Sequence, residues 1–498
     1  MTSMIDVTSP ADGRRVGQIG SQLRDSVSDV VASLRGSQPA WEGIGPHDRA
    51  GWLRRYRDWL LDNHDRLCGL LQAETGKPWT EANLDLPYVV DVTNYYAKNA
   101  ARFLADQRPA RHSLLTITKR QLVTRRAYPV VGVITPWNFP LGLTLIDAVP
   151  ALLAGASVVV KPSEFTPLAT RAAVDGWTEI GAPPVFACVT GAGETGAAVV
   201  DEVDYVQFTG STRTGKAIAK SAATRLIPCS LELGGKDAML VLADADLPRA
   251  ANAAVWGGIA NAGQMCTSVE RVYVEASVYD EFVNLVTDRV RALRLGSDAT
   301  GYRYDVGPLA TSTQVDIVRR HVADALERGA RVLVGGQNSG QFFEPTVLVD
   351  VDHSMLCMTE ETFGPTLPIM RVADVDEAVQ LANDSAYGLS ATIFSRDTRR
   401  AEEVARLLQS GAVNINDVFS NLFALPVPQS GWKQSGMGAR NGGVYGIQKF
   451  TRPQAIVTSR LMTPRSELTW YPYTASRTAV LRRAARLLGA GDLRRKLF

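Results

Sequence analysis

The stretch SVVVKPSEFTPLATRAAVDGWTEIG, residues 157–181, combines a short β-branched run, a polar loop and a helix-like segment. The same order recurs in YVQFTGSTRTGKAIAKSAA, residues 205–223, and in AMLVLADADLPRAANAAVWGGIANAG, residues 238–263. Short apolar strands that alternate with helices favour parallel sheets with helices on both faces. RVLVGG, residues 331–336, and ATIFS, residues 391–395, predict strands of a second such unit. The predicted fold class is therefore α/β, with two doubly wound units.

The segments before these repeats have other periodicities. In DRAGWLRRYRDWLLDNHDRLCGLLQAETG, residues 48–76, apolar side chains recur every three or four positions, which predicts helix that stops at Gly76. In HSLLTITKRQLVTRRAYPVVGVITPWNFP, residues 112–140, the pattern is β-branched and partly alternating. That pattern predicts a hairpin that runs into a buried strand.

The totals exclude several classes of protein. A chain of 498 residues predicts two or three domains with a cleft between them. With 53 basic and 51 acidic residues, the chain as a whole has no field that would recruit nucleic acid. Five scattered cysteines without a CxxC pair disfavour a disulfide framework and a zinc site. Because there is no signal-peptide pattern and no apolar run of membrane-spanning length, we expect a cytoplasmic protein.

The segment NAGQMCTSVERVYV, residues 261–274, places Cys266 after a Gly-Gln turn and before a strand-like run. A cysteine nucleophile needs a water activator and donors for a developing oxyanion. Glu232 precedes a glycine pair in PCSLELGGKDAML, where a carboxylate can activate water. Asn138 lies between prolines in VITPWNFPLG, and its amide can donate to an oxyanion. These three residues form the predicted catalytic set.

A competing function arises from FTGSTRTGKA, residues 208–217. Gly210, Gly215 and Lys216 have the spacing of a phosphate-binding P-loop, which would indicate a nucleotide hydrolase. However, the P-loop pattern requires serine or threonine at the next position, where this chain has Ala217. The hydrolase is therefore the more remote alternative.

Eight motifs stand in the order that is typical of one enzyme family, and the resemblance that they carry extends over roughly residues 10–460. They are PWNFPL, KPSEFTP, FTGSTRTG, LELGGKDAML, NAGQMCTSVERVYV, EETFGP, NDSAYGLSATIFS and SGWKQSGMG. In these motifs the chain resembles the NAD(P)-dependent aldehyde dehydrogenase superfamily, nearest its succinate-semialdehyde dehydrogenase-like branch.

The resemblance implies a domain organisation and an assembly. It implies an NAD-binding domain of residues 1–112 and 129–236 and a catalytic domain of residues 237–446. An oligomerisation arm of residues 113–128 and 447–465 would join subunits into homodimers or homotetramers.

The resemblance also implies a mechanism. Cys266 attacks the aldehyde carbon, and the Asn138 amide and the Cys266 backbone N–H hold the oxyanion. Hydride leaves for the nicotinamide, and water deprotonated by Glu232 then releases the acid from the thioester. Two relatives stay open as alternatives: a CoA-dependent acylating enzyme, which usually lacks this glutamate, and a catalytically idle binding protein.

For the cofactor, Lys161 and Glu164 resemble the pair that grips the adenine ribose. A carboxylate at this position accepts from both ribose hydroxyls and repels a 2′-phosphate, so NAD is favoured over NADP. Ser211 would donate to the pyrophosphate at a helix N-terminus, and Glu361 would hold the nicotinamide ribose. The predicted cofactor-binding residues are Thr135, Trp137, Lys161, Ser163, Glu164, Gly193, Thr209, Gly210, Ser211, Gly215, Leu233, Glu361 and Phe363.

For the substrate, the sequence departs from the branch it resembles. Succinic semialdehyde oxidisers typically have arginines eight residues after the motif asparagine and six before the cysteine, where this chain has Ile146 and Ala260. An unpaired carboxylate in an apolar tunnel is costly, so a medium-chain, terpenoid or aromatic aldehyde is favoured and succinic semialdehyde is the alternative. The predicted substrate-binding residues are Leu141, Leu143, Ile146, Met265, Thr267, Phe419, Phe423 and Leu425.

The C-terminal tail, residues 466–498, contains a basic amphipathic segment, ASRTAVLRRAARLLGAGDLRRKLF. Val480, Ala484, Leu487 and Leu488 recur at helical spacing among arginines. Such a helix either contacts an anionic membrane surface or packs on its own oligomer.

Overall fold

The computed structural model describes residues 4–112, 116, 118–298, 301–460, 465–492, 494 and 496. The chain forms two compact units. The main unit comprises Met1–Phe103 and Ala127–Phe450, and the arm unit comprises Leu104–Arg126 and Thr451–Phe498.

Helices surround the sheets of the main unit, and the last helix belongs to the arm unit. The helices are α1 Arg24–Gly43, α2 Gly45–Asp62, α3 His64–Thr75, α4 Trp79–Ala82, α5 Asp85–Phe103, α6 Pro140–Ala154, α7 Leu168–Glu179, α8 Gly193–Glu202, α9 Thr212–Arg225, α10 Leu247–Ile259, α11 Tyr279–Arg291, α12 Ser312–Glu327, α13 Leu356–Thr359, α14 Val375–Asn383, α15 Thr398–Ala405, α16 Ser420–Phe423, α17 Val444–Gln448 and α18 Ala475–Gly489.

The strands are β1 Met4–Thr8, β2 Arg15–Gly20, β3 Lys119–Ala127, β4 Val130–Ile134, β5 Ser157–Lys161, β6 Phe186–Cys188, β7 Tyr205–Thr209, β8 Cys229–Glu232, β9 Asp237–Val241, β10 Val269–Glu275, β11 Arg331–Val334, β12 Asn338–Ser339, β13 Phe342–Phe343, β14 Thr346–Val349, β15 Thr366–Val372, β16 Tyr387–Gly388, β17 Ser390–Phe394, β18 Ala412–Ile415, β19 Pro428–Gln429, β20 Trp432–Lys433, β21 Gly436–Met437, β22 Arg440–Asn441 and β23 Thr451–Ser459.

Two sheets form the core of the main unit. The first has the order β21-β8-β7-β4-β5-β6, parallel except for β21. The second has the order β11-β14-β15-β10-β9-β17-β18, parallel except for β11. Every residue of β4, β5 and β7 is buried. Burial on both faces is what a continuous apolar run predicts for a strand of a parallel sheet. The predicted α/β class with two doubly wound sheets is confirmed, whereas the predicted domain boundaries stay a prediction.

The three recurring stretches form the predicted strand–loop–helix units: β5 with α7, β7 with α9 and β9 with α10. Local chemistry sets where two of these helices begin. The Ser211 hydroxyl accepts from the backbone N–H of Thr214 (3.3 Å) at the start of α9. The Asp246 carboxylate accepts from the N–H of Arg249 (3.1 Å) at the start of α10. Both caps satisfy donors that have no partner within the helix.

Two expectations for the earlier segments are modified. The helical pattern of residues 48–76 forms two helices, α2 and α3, that meet at Asn63, and α3 ends as predicted at Gly76, whose φ is 72°. The predicted hairpin in residues 112–140 is wrong, because β3 pairs with β23 whereas β4 lies between β5 and β7. A fully buried apolar strand such as β4 finds its partners in the parallel sheet rather than in its half-exposed neighbour.

The arm unit contains the two-stranded sheet of β3 and β23. The N–H of Arg460 donates to the carbonyl of Thr118 (2.8 Å), and the Lys119 ammonium donates to the Glu467 carboxylate (2.7 Å). The predicted tail helix forms as α18, capped by the Thr474 hydroxyl. The parts of the predicted arm and tail at residues 113–115, 117, 461–464, 493, 497 and 498, together with Arg495, lie outside the described residues. Of the described helices, none has an apolar stretch long enough to cross a bilayer.

Candidate active site

A tight turn delivers Cys266 to the start of β10. Helix α10 runs into a 3-10 turn, Ala260–Gly263, in which Asn261 and Ala262 both have φ of 55°. Gly263 follows at φ 72°, and a Cβ there would lie 2.1 Å from the carbonyl oxygen of Gly364. Left-handed backbone at two non-glycine residues costs energy and persists where the surroundings enforce it. The turn is therefore a strained element directly before the candidate nucleophile.

Side-chain amides hold this turn against the Asn138 loop. The Asn261 amide donates to the carbonyls of Asn138 (3.2 Å) and Gln264 (3.1 Å). The backbone N–H of Asn261 donates to the Glu81 carboxylate (2.7 Å). The Asn138 amide also donates to the Gln264 carbonyl (2.9 Å). Since a side-chain amide has two N–H donors, one donor of Asn138 remains for a developing oxyanion.

Glu232 ends β8 and is buried, with 4% of its surface exposed. Its Oε1 atom has no hydrogen-bond partner among the described residues. Burial raises the pKa of Glu232 to about 7, and the positive charge of Arg440 opposes that rise. A carboxylate whose conjugate acid has a pKa near neutrality is suited to take a proton from water.

The glycine pair after Glu232 brings this segment against the cysteine loop. A Cβ on Gly235 would lie 2.6 Å from the Cys266 carbonyl oxygen, and a Cβ on Gly234 would lie 2.4 Å from Glu361 Oε2. Protein groups closely approach both glycines, so neither position has room for a side chain. The two glycines therefore bring the segments that carry Glu232, Cys266 and Glu361 together.

A buried ion pair that was not predicted from the sequence lies beside these residues. Arg440 donates to Asp147 through Nη2 (2.7 Å) and Nε (3.2 Å), and Nη2 also donates to the Thr209 hydroxyl (2.7 Å). The partners are 293 residues apart in sequence, so no local pattern could pair them. The one signal was a carboxylate within the otherwise apolar α6.

Among the influences on the pKa of the Cys266 thiol, burial has the largest effect. It raises the pKa of the Cys266 thiol to about 12, and Arg440 is the largest influence in the opposite direction. The thiolate, not the thiol, is the nucleophile. The positive charge of Arg440 therefore favours the reactive form of Cys266 as well as the ionised form of Glu232.

A mainly apolar cavity opens beside Cys266. Six of the predicted substrate residues line it, together with Asn138 and Cys266: Leu143, Ile146, Met265, Thr267, Phe419 and Phe423. The lining also includes four residues that were not predicted from the sequence: Leu84, Tyr88, Phe139 and Trp256. The other two predicted residues, Leu141 and Leu425, are buried in the surrounding packing, with 0% and 2% exposed.

The charged groups of this cavity do not suit an anionic substrate. Among the described lining residues, the cation is Arg440, which is already paired with Asp147. Glu81 and Asp85 also line the cavity, and burial raises the pKa of both. Ile146 and Ala260 line the cavity at the two positions where the resemblance predicted arginines for succinic semialdehyde.

A second cavity lies at the carboxyl ends of β4, β5 and β7, the edge at which open α/β sheets bind nucleotides. Lys161 Nζ and Glu164 Oε2 are 3.4 Å apart there. A Cβ on Gly193, the first residue of α8, would meet open space. Hydroxyls, a carboxylate and a side-chain-free helix start fit the ribose and phosphates of a dinucleotide. Seven predicted cofactor residues line the cavity: Thr135, Lys161, Ser163, Glu164, Gly193, Thr209 and Gly210.

The remaining predicted cofactor residues lie outside the lining of this cavity, and their contacts are with protein. The Trp137 and Phe363 rings meet edge to face at 5.6 Å. A Cβ on Gly215 would lie 2.4 Å from the Leu233 side chain, so this glycine provides close packing. The Ser211 hydroxyl caps α9.

The backbone N–H of Gly235 donates to Glu361 Oε1 (3.0 Å). Burial raises the pKa of Glu361 to about 8. Glu361 is thereby held next to the glycine pair that contacts the Cys266 loop.

A second buried ion pair holds the loop of Glu361 and Phe363. Lys236 donates to Glu270 (2.6 Å), and Glu270 also accepts from the N–H groups of Thr362 (2.8 Å) and Phe363 (2.9 Å). Both charged side chains are buried. Glu270 therefore connects β10 to the loop that contributes two predicted cofactor residues.

Replacement of Glu270 by alanine is expected to lower the free energy of unfolding by about 3 to 5 kcal/mol, because the Lys236 charge would stay buried without a partner. Asp288→Ala breaks an exposed ion pair with Arg291 and is expected to cost less than about 1 kcal/mol. Urea titration of both variants measures the difference. Equal costs would contradict a structural role for the buried pair.

Comparisons with known proteins identify the family of the chain. The model of the aldehyde dehydrogenase family matches residues 1–456. The 4,4'-diapolycopene aldehyde oxidase of Methylomonas sp is 40% identical over 475 residues, which is 95% of this chain and 89% of that relative. A Mycobacterium ulcerans protein provisionally named succinate-semialdehyde dehydrogenase (NADP(+)) 2 is 41% identical, over 90% of this chain and 87% of that protein.

Solved structures show the same similarity. The crystal structure of a Mycobacterium tuberculosis aldehyde dehydrogenase complexed with NAD+ superposes with a TM-score of 0.88 at 33% identity. The superposition covers 93% of this chain and 96% of that chain.

Proposed function

The chain belongs to the aldehyde dehydrogenase family, and from that premise we propose that it oxidises apolar aldehydes to carboxylic acids with NAD(P). The observation that carries the proposal is the apolar cavity that contains Cys266 and Asn138 and is flanked by the buried Glu232 segment. A nucleophile, an oxyanion donor and a water activator are the groups that acyl chemistry on an aldehyde needs.

In the proposed mechanism, the Cys266 thiolate adds to the aldehyde carbon and forms a tetrahedral thiohemiacetal. The free N–H of the Asn138 amide and the backbone N–H of Cys266 donate to its oxyanion, each contributing about 3 kcal/mol. A bound oxidised dinucleotide would supply the hydride acceptor that converts this adduct into a thioester. Glu232 then removes a proton from water, which attacks the thioester and releases the acid and the thiol.

The dinucleotide is assigned to the cavity at the edge of the first sheet. Lys161 and Glu164 would bind the adenosine ribose, and the start of α8 at Gly193 would face a phosphate. The Glu164 carboxylate accepts hydrogen bonds from ribose hydroxyls and repels a 2′-phosphate. We therefore propose a preference for NAD over NADP. The β3–β23 sheet of the arm unit is the proposed site of homo-oligomer formation, because two strands leave open edges for a second copy.

The lining of the substrate cavity supports an apolar aldehyde over succinic semialdehyde. Burying each additional CH2 group contributes about 0.8 kcal/mol, which corresponds to roughly a fourfold gain in kcat/KM per carbon. A carboxylate in the same place would meet Glu81 and Asp85 rather than a free cation. One of the two named relatives, the diapolycopene aldehyde oxidase, has a name that denotes a lipophilic aldehyde.

We expect kcat/KM to rise from butanal to hexanal to decanal, and to be at least about 100-fold lower for succinic semialdehyde than for butanal. Butanal is the matched control, because the two substrates share a four-carbon chain and differ in the distal carboxylate. Steady-state formation of reduced cofactor measures all four. If succinic semialdehyde surpasses butanal, the apolar-aldehyde proposal is wrong and the alternative substrate class replaces it.

A further inference from the structure

The arm unit has a charge that differs sharply from that of the rest of the chain. Its 71 residues hold 16 of the 53 lysines and arginines but three of the 51 acidic residues. The other residues therefore have 37 basic against 48 acidic side chains. The near-neutral total conceals a strongly basic unit, and such asymmetry is typical of proteins that bind polyanions or anionic membranes.

The same unit exposes large apolar and aromatic side chains. Trp470, Tyr471 and Tyr473 are 56%, 78% and 69% exposed, and they directly precede α18. Along α18, Val480 and Leu487 are 54% and 49% exposed, and the helix has no buried residue among those described. Exposed tryptophan and tyrosine beside a basic amphipathic helix are typical of segments that lie at the membrane–water interface.

A groove in the arm unit adds a second cluster of cations. Its lining includes the apolar Leu488 of α18, so the groove adjoins the exposed helix. Six basic or imidazole side chains share this lining: Arg108, Arg111, His112, Lys119, Arg120 and Arg460. Phosphate groups of lipids carry the charge that such a groove attracts.

We propose that the arm unit docks on an anionic lipid surface, a role that goes beyond aldehyde oxidation. The aromatic and aliphatic side chains enter the headgroup region, and the cations of α18 and the groove lie against lipid phosphates. The second copy proposed above would pair with the open edges of the β3–β23 sheet, whereas a second α18 would bring like charges against the arginines of α18. Nucleic acid accounts for the cations and, through base stacking, for the aromatic rings, but not for the exposed aliphatic side chains of Val480 and Leu487.

The test is flotation of the full-length protein with two kinds of vesicle. One kind contains phosphatidylcholine alone, and the other also contains about 30 mol% of the anionic lipid phosphatidylglycerol, which gives a strong surface potential. We expect binding to the anionic vesicles that weakens as salt is added. Arg482→Gln/Arg483→Gln/Arg486→Gln removes three cations and is expected to weaken partitioning about 100-fold. The matched control, Arg291→Gln/Arg396→Gln/Arg399→Gln, removes three exposed arginines from the main unit and is expected to bind like the unaltered protein.

A third variant, Trp470→Ala/Tyr471→Ala/Tyr473→Ala, is expected to weaken binding while every cation is retained. The proposal is overturned if the full-length protein stays in solution with anionic vesicles, or if both arginine variants bind equally. Two further outcomes also overturn it, each in the absence of vesicle binding. In the first, the α18 arginines are required for binding a short RNA duplex. In the second, they are required for the size of the oligomer that sedimentation measures. None of these readouts depends on aldehyde turnover, so failure here leaves the proposed oxidation to be judged separately.

Discussion

Replacement of Cys266 by alanine is expected to lower kcat/KM for aldehyde oxidation by roughly 10⁴-fold or more, because the alanine side chain cannot form the covalent adduct. The strained turn before Cys266 and the amide network around Asn261 place this thiol in the cavity with Asn138. Alanine is close to cysteine in size, so the turn is expected to persist. Stopped-flow and steady-state absorbance of the reduced cofactor, with decanal as substrate, measure the loss.

The matched control is Cys229→Ala. Cys229 is partly buried at the start of β8, the strand that ends at Glu232, and it lies outside the cavity lining. We expect this variant to keep its activity within about twofold, because a substitution away from special structural features usually has a small effect. Activity that survives in Cys266→Ala, or is lost equally in both variants, would contradict a covalent mechanism on Cys266.

Much of the fold could be predicted from local patterns, because the order of strand, loop and helix in each unit depends on consecutive residues. The units β5–α7, β7–α9 and β9–α10 follow from apolar runs and from caps such as Ser211 and Asp246. The pairing of β3 was mispredicted, because strand partners depend on contacts that are distant in sequence. Residues 119–127 pair with residues 451–459, and nothing in the first segment specifies the second.

The residues of the site also include some that the local sequence predicts and some that it does not. Cys266, Asn138 and Glu232 lie in motifs of the family, so the sequence indicated them and the structure brings their segments together. Arg440 was missed, because its importance comes from its contacts with Asp147 and Thr209 and not from its neighbours in sequence. Gly215 packs against Leu233 and Ser211 caps α9, and the cofactor-binding role predicted for both residues stays a prediction.

Replacement of Glu232 by glutamine is expected to separate the two halves of the reaction. Glutamine keeps the shape of the side chain but cannot remove a proton from water, so thioester hydrolysis is expected to slow by roughly 10²- to 10⁴-fold. Formation of the thioester does not need this base. Rapid mixing should therefore show a burst of about one reduced cofactor per subunit, followed by a slow steady state. Mass spectrometry of the quenched protein should find the acyl group on Cys266.

The pH dependence gives an independent measure of the same residue. Burial raises the pKa of Glu232 to about 7, and the base acts only when it is ionised. Hydrolysis by the unaltered enzyme should therefore be constant above this pKa and fall to about a tenth of that rate one pH unit below it. The glutamine variant should lose this inflection. Glu74→Gln is the matched control, because Glu74 is also buried, with a pKa raised to about 8, but binds the start of α7. Steady turnover without a burst in Glu232→Gln, or a burst in Glu74→Gln alone, would place the water activator on another residue.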